Sequence, residues 1–530
     1  MASKQEVATD ATEHNSGYST PHASPRKEDQ ISVSWDGPDD PLNPLNWPWR
    51  KKLVVTILTS FFTFLSPFTS TKITPAMSEI DADLNIPEGF DGQLVIAIFM
   101  LGYATGPVVL APLSEIYGRI GIIRISNVFY IAFNAACGIS QTTTQLLVLR
   151  FLAGVGGSAP QTLCHGVLPD IWSVDERGLG QSLYGIANWA GPTLAPVCGA
   201  LISKYTSWRW IFFATSIFAF ILQILAHFFL PETYAPTILA KKATRIRTEL
   251  DRGGWTEARV TIQYNTGEPM RTVLRKRLTL PFVMMFSHPA VIAPALYRAF
   301  LYGVMYLLLS SFPLVFEGVY DQTELVPSLN TLSMFIGFMI GLWASEPLLD
   351  KLYAYLKTYY ATSNGIPEFR VPPMLIGGLF APTGLLLYGY TAQDHLHPIL
   401  PNIGLVLISI GLIIAFQCAQ AYTTDAYGSR YVASANAAGA VVRTLCGFSF
   451  PLFAPSMYKS LGLGGGNALL AGLTVVLAVV GPMVLWRWGG WMRRSSLRGC
   501  DSDFVLEVGP GIGELKKLKR EREDVENGVI

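Results

Sequence analysis

Charge is scarce in this chain: Asp, Glu, Lys and Arg make up 15% of its 530 residues, against about 25% in a typical soluble protein. That scarcity excludes an ordinary water-soluble globular protein. An excess of one sign is also missing, since 39 Lys and Arg face 38 Asp and Glu for a net charge of +1. No long-range field therefore draws in nucleic acid, and none is expected as a partner. Of the six cysteines, Cys137, Cys164, Cys198, Cys418 and Cys446 sit in apolar blocks and Cys500 in a basic tail. Neither a disulfide framework nor a zinc-ligand spacing can be read from them. A Walker-type phosphate loop and a His-Glu zinc-hydrolase pattern are absent too, so ATP-driven pumping and metal hydrolysis lack their residues. The opening segment has no charged-then-apolar leader with a cleavage site, and no signal peptide is expected.

What the chain does have is apolar residues, half of the total, gathered in blocks of about 20, the length that crosses a bilayer. Blocks stand near 53–71, 93–112, 120–140, 145–168, 180–202 and 209–230. After a polar break, six more follow near 288–315, 328–347, 371–391, 398–422, 433–457 and 468–490. Arg443 and Pro451 interrupt the block at 433–457, but omitting it would put the two termini on opposite sides of the membrane. The expected organisation is a disordered tail over 1–52, a six-helix bundle over 53–230 and a central loop over 231–287. A second bundle over 288–491 and a tail over 492–530 complete it. Lys and Arg set the orientation. Lys241, Lys242, Arg245, Arg247, Arg271, Arg275, Lys276 and Arg277 in the break, with Arg50, Lys51, Lys52, Arg493 and Arg494 at the ends, place both termini and the central loop in the cytoplasm. The facing loops are acidic, one carrying Glu79, Asp81, Asp83, Glu88 and Asp91. Gly106, Pro112 and Glu115 recur at the same spacing as Gly341, Pro347 and Asp350, each set following the second block of its half. Two parallel repeats would give that echo; so would coincidence among three common residues.

Three stretches carry chemistry. After the second block the chain reads GPVVLAPLSEIYGR, from Gly106 through Glu115 to Gly118 and Arg119. Its glycines permit close helix approach and its acid and arginine can pair across a turn, although a merely basic turn would read similarly. In the fourth block Arg150 precedes Gly154, Gly156 and Gly157. An arginine inside a span costs at least about 2.5 kcal/mol and is a functional candidate by default, unless it reaches the headgroups from the span's end. In the fifth block Gly191, Pro192, Pro196 and Gly199 crowd the middle of a helix, where proline frees a carbonyl and bends the rod. An ordinary span rich in Gly and Pro is the plainer reading.

These stretches resemble motifs A, B and C of the major facilitator superfamily. With Asn43-Pro44-Leu45-Asn46-Trp47, Trp208-Arg209-Trp210, Pro231-Glu232-Thr233-Tyr234 and Asp425-Ala426-Tyr427, they are similar to the fungal twelve-span drug:proton antiporters over roughly residues 35–495. Ile120 stands where a second basic residue is usual, and Ala195 and Cys198 where glycines are commoner. The resemblance implies an all-α transmembrane, twelve-helix major-facilitator fold of two six-helix pseudo-repeat bundles. It also implies a plasma-membrane monomer, not an enzyme, that exports a toxin, secondary metabolite or drug by proton antiport, with the proton gradient and no cofactor as energy source. It further implies that Arg150 takes part in coupling and that the proline-rich fifth span marks an antiporter.

A small, mostly apolar cargo suits a cavity lined by Gln161, Asn188, Trp189, Tyr297 and Tyr302, with Phe99, Tyr103, Met305 and Tyr306 nearby in sequence. Each aromatic taken singly could equally face lipid or a neighbouring helix. No Asp or Glu falls in mid-span. The coupling proton is therefore sought at Asp170, which a pairing with Arg150, Arg298 or Arg443 could tune, or at His165. The rivals are an uptake facilitator for a small metabolite and a non-transporting membrane sensor of the same fold.

Overall fold

In hydrocarbon a backbone must satisfy its own N–H and C=O groups, which leaves helices as the form open to these apolar blocks. The computed structural model describes residues 30–87, 90–173, 176–252, 259–262, 270–323, 325–362, 365–496 and 510–526. Strand β1 (Gln30–Val33) precedes α1 (Trp49–Thr71), the short α2 (Met77–Leu84), α3 (Phe90–Tyr117), α4 (Arg119–Cys137), α5 (Thr143–Ile171), α6 (Arg177–Tyr205) and α7 (Trp208–Phe229). Helix α8 (Ala235–Arg252), strand β2 (Arg259–Ile262) and α9 (Met270–Ser287) lead to α10 (Pro289–Phe316), the short α11 (Val326–Leu329), α12 (Thr331–Tyr359), α13 (Pro373–Gln393) and α14 (Ile399–Ser495). Helix α15 (Ile512–Glu526) is the last described element.

Nine stretches among the described residues are long and apolar enough to cross a bilayer. Helices α5 and α6, of 29 residues each, fall outside that set because glycine, proline and interior polar groups dilute them. The 97 residues of α14 would measure about 145 Å as one straight rod, so they must fold back. Gln420 donates to Asn436 at 2.8 Å across 16 residues, which places one reversal between them. Gly462, at φ +71°, marks the second, and Tyr458 beside it reaches Asn467 at 3.4 Å. Three antiparallel segments result, 399–427, 434–461 and 463–495, and the crossings number twelve in two sets of six. The interruption at Arg443 and Pro451 does not break its helix, because the arginine turns to the interior, 8% exposed.

Close packing fixes the first set. A Cβ at Gly102 of α3 would overlap the Phe151 carbonyl of α5, and one at Gly154 of α5 would overlap the Phe99 carbonyl of α3. The backbones touch where Cβ atoms would otherwise stand. Large apolar side chains instead clothe the outer faces, as at Phe228 (74% exposed) and Trp343 (82%).

Several segments expected as tails or loops are built structure. Residues 1–29 lie outside the described part, but from Gln30 the first segment is ordered, because β1 pairs in parallel with β2, Gln30 opposite Arg259. Asp40 holds this entry, accepting from the Asp36 and Leu42 amides at 2.8 Å each. The central connection contains α8 and α9. At the other end Ile512 and Leu515 of α15 pack with Tyr360, Ile366 and Phe369, while Arg493 and Glu368, 4% and 0% exposed, pair at 2.9 Å. The acidic loop after α1 is helix α2, whose Glu79 accepts from Ser203 Oγ at 2.6 Å and from the Trp208 amide at 3.3 Å. Glu88 lies outside the described residues.

If the α3–α5 seam is as tight as the glycines indicate, Gly154→Leu should abolish the monodisperse peak in size-exclusion chromatography of the detergent extract. Gly121→Ala, whose added Cβ meets nothing within 4 Å, should leave that peak intact.

Candidate functional site

Helix α6 bends at its two prolines, and the loose ends are tied to α1. Pro196 has no N–H, so the Pro192 carbonyl four residues earlier loses its helical donor. Thr71 Oγ1 of α1 donates to that carbonyl at 2.9 Å. The approach is close enough that a Cβ at Gly191 would stand 2.7 Å from the Phe64 carbonyl, and one at Gly199 would overlap the Lys72 carbonyl. One residue beyond Pro192, the Thr193 carbonyl accepts from Thr331 Oγ1 of α12 at 2.7 Å. The proline-rich stretch thus seams α1 to α6 and touches the second set of helices.

Where α1 ends, two cations are buried together. Arg150 of α5, 1% exposed, donates through Nη2 to the carbonyls of Ser70 (3.4 Å) and Ile96 (3.2 Å). Lys72, fully buried, donates to Asn134 Oδ1 at 2.9 Å and Thr215 Oγ1 at 2.6 Å. It also stands 4.5 Å from the Phe212 ring centroid, in a place where an unpartnered ammonium would cost several kcal/mol. Arg150 is no headgroup-seeking side chain. Lys72 escapes a reading of apolar runs because it sits at the edge of the first block; the signal is that the run resumes at Ile73, and the apolar stretch extends from Trp49 to Leu84.

Asp170 lies at the far end of α5 from Arg150, 20 residues and about 30 Å along the axis. It pairs instead with Arg119, Nε to Oδ2 at 2.9 Å. Glu232 completes this corner, accepting from the amides of Arg119 (3.1 Å) and Ile120 (3.3 Å) at the N-terminus of α4, where the helix dipole favours an anion. Gly118, at φ +96°, is needed both for its backbone and because a Cβ would strike the Glu232 carboxylate. The second set has a counterpart: Arg370 reaches Asp350 at 3.1 Å and Asp425 at 2.9 Å. Each set thus carries an arginine-centred corner. The side chains of Glu115 and His165 lie outside the described residues. Gly106, read as part of the turn motif, packs against Ser158 of α5.

Between the two sets lies a ring of aromatic and amide groups. Gln161 donates to Asn188 at 2.8 Å and accepts from the Tyr103 hydroxyl, and Trp189 packs on Phe338 and Phe416 with centroids 4.9 and 5.2 Å away. Tyr302 lies 4.9 Å from the Tyr306 ring, and Tyr306 joins Ser70 of α1 at 2.9 Å. Tyr297, on another face of α10, stands beside Gly481 of the last segment and is not drawn into this ring. Arg298 and Arg443 are, the former 4.6 Å from the centroid of Phe416 and the latter 4.9 Å from that of Tyr302.

Removing the hydroxyl at position 71 isolates the seam. Thr71→Val should destabilise the protein by about 1–3 kcal/mol, the cost of an unmet buried carbonyl, seen as a lower thermal midpoint in detergent, while Thr71→Ser should retain most of it.

The Major Facilitator Superfamily profile matches residues 59–451. Among curated proteins the chain is 38% identical to "Efflux pump vrtL" of Penicillium aethiopicum over 88% of this chain and 90% of the other. It is 33% identical to "Efflux pump radE" of Floropilus chiversii over 89% and 87%. Among solved structures, the xylose transporter XylE from E. coli in a partially occluded inward-open conformation superposes with a TM-score of 0.61. That match has 14% identity and covers 83% of this chain and 98% of the other, so it speaks to fold alone. Motifs, twelve crossings in two sets and these likenesses agree: the chain belongs to the Major Facilitator Superfamily.

Proposed function

We propose that this protein is a plasma-membrane efflux transporter that exports a small organic compound, a toxin, secondary metabolite or drug, by alternating access in exchange for protons. The printed names of the two efflux-pump relatives support export, and the proline-rich seam supports antiport. One observation carries the side from which cargo enters this conformation. Among the described residues both hydrogen bonds that join the two sets, Ser70–Tyr306 and Thr331–Thr193, lie toward the side away from the chain termini. With Lys and Arg assigning the termini to the cytoplasm, the bonded side is the outer gate, shut, and the aromatic ring is loaded from within. The bundles over 53–230 and 288–491 are the rocking halves, a monomer suffices for the cycle, and Phe228 and Trp343 face lipid.

Each half then uses its arginine corner as a latch on the cytoplasmic side, with Asp170 and Arg119 in the first and Asp425 and Arg370 in the second. Arg150, tied to the α1 and α3 carbonyls, passes proton-linked changes to the outer gate through Ser70.

Expression in cells stripped of their own exporters, with accumulation of fluorescent, azole and polyketide compounds measured with and without a protonophore, tests the proposal. Lower accumulation that the protonophore reverses is the expected result. Higher accumulation would establish uptake instead, and no change for any compound with the protein verified at the surface would count against transport of these classes. Arg150→Ala should reach the membrane yet lose gradient-driven efflux at least tenfold, and joint Gly191→Leu and Pro192→Leu substitution should slow turnover.

A further inference from the structure

Arg298 of α10 and Arg443 of the middle segment of α14 differ from the other buried guanidiniums. They are 4% and 8% exposed, and each sits near the middle of its crossing, about ten residues from its start. Arg119, Arg370 and Arg493 all pair with carboxylates, and Arg150 donates to two carbonyls. Among the described residues Arg298 and Arg443 make neither a hydrogen bond nor an ion pair, and the Nε of each is a buried donor with no acceptor. What they have is aromatic faces. Both lie over Phe416, at 4.6 and 5.6 Å from its centroid, and Arg443 also over Tyr302 at 4.9 Å. They are neighbours: both lie over the same ring, and an Arg298 nitrogen stands 3.8 Å from where a Cβ of Gly439, one turn before Arg443, would be.

Two like charges largely removed from bulk water, with no counterion among the described residues and only the Nη atoms left with open surface, are unstable as a packing device, since a ring face offsets only a fraction of the desolvation cost of a guanidinium. Ten N–H donors with no acceptor among the described residues, at the junction of both sets of helices, make a receptor for an anion. The surroundings define the rest of that anion. Trp189 meets Phe416 across the junction, so the space beside the arginines is walled by rings. Gln420 and Asn436, bonded to each other, offer amides one turn beyond Phe416 and two turns before Arg443.

We infer that the transported compound is an organic acid, an aromatic or polycyclic body bearing one ionised carboxyl, enol or phenol oxygen group that Arg298 and Arg443 grip together while Phe416 and Tyr302 stack on the body. This deepens the export proposal and rests on it for the word transported; the anion site itself rests on the two arginines. It narrows the expected cargo from a mostly apolar compound to an amphipathic acid. It also gives the absence of mid-span carboxylates a reason: an acid beside this pair would occupy it as an internal counterion.

The test uses the full-length protein purified in detergent, with 2-naphthoate and methyl 2-naphthoate as probes and thermal midpoint and tryptophan fluorescence as readouts. Naphthoate should raise the midpoint and shift the emission, the ester should do so at least tenfold less well, and Arg298→Gln and Arg443→Gln should each erase that difference. A merely structural arginine would behave otherwise, because its loss would lower the midpoint of the unliganded protein. Here the unliganded variants should melt at or above the parent, having shed an unpaired buried charge. Equal response to acid and ester, no response to either, or variants that melt lower yet still prefer the acid would overturn the inference. Because binding is read without a gradient or a direction, arginine-dependent acid binding with no cellular efflux would refute export and leave the anion site standing. Protonophore-sensitive efflux with no preference for the acid would do the reverse.

Discussion

Inside a bilayer no water waits to complete a hydrogen bond, so every break in a helix has to be completed by another helix. The carbonyl that Pro196 releases is the clearest case, because its new donor, Thr71, belongs to α1. Where threonine or serine hydroxyls make such repairs, the two rods cannot slide independently. Ser126 does the same for α4 and α5, donating to the Gly156 carbonyl at 2.7 Å, and Ser66 ties α1 to the Gly157 carbonyl. Glycine makes these repairs geometrically feasible, since only a surface without Cβ atoms brings a hydroxyl on one helix within reach of a carbonyl on the next.

The same accounting distributes charge. At the ends of the crossings nearer the chain termini, arginines are matched with carboxylates: Arg119 with Asp170, Arg370 with Asp350 and Asp425, Arg493 with Glu368. The partly exposed pairs of Arg119 and Arg370 break at modest cost once water enters, as the proposed cycle requires, whereas the buried Arg493–Glu368 pair is a fixed tie. Deeper in, cations rest on carbonyls, hydroxyls and ring faces, as Lys72 and Arg150 do. Charge along the helices thus passes from carboxylate-paired arginines at the ends to cations held by carbonyls, hydroxyls and rings in the interior.

The number, order and approximate ends of the crossings were legible in the sequence because bilayer thickness imposes a length that composition reveals. Arg150, Gly154, Gly191 and Gly199 were legible as well, since charge and glycine inside a span are rare enough to stand out. Partnerships were not. Asp170 reads as a companion of Arg150 when both are simply ionisable groups of one block, yet they occupy opposite ends of a helix and the true companion, Arg119, comes from the earlier turn between α3 and α4. Lys72 was hidden by its place at the margin of an apolar block, and Tyr297 and Tyr302 look equivalent until helical phase separates them. Among the folded parts of the polar segments, β1 and β2 are four residues each, too short to carry a periodic signal, and exist only through one another.

That short parallel pair reaches beyond its size. β1 lies just before the first crossing and β2 in the connection between the halves, so their register fixes a point of the connection against the entrance of α1. Lys242 of α8 reinforces the attachment by donating to the Ser34 carbonyl at 3.1 Å. A connection that would otherwise be a free tether over 231–287 is thereby anchored partway. In the proposed rocking cycle the second half is therefore joined to the first at a point held against the entrance of α1, and not through a tether free along its whole length.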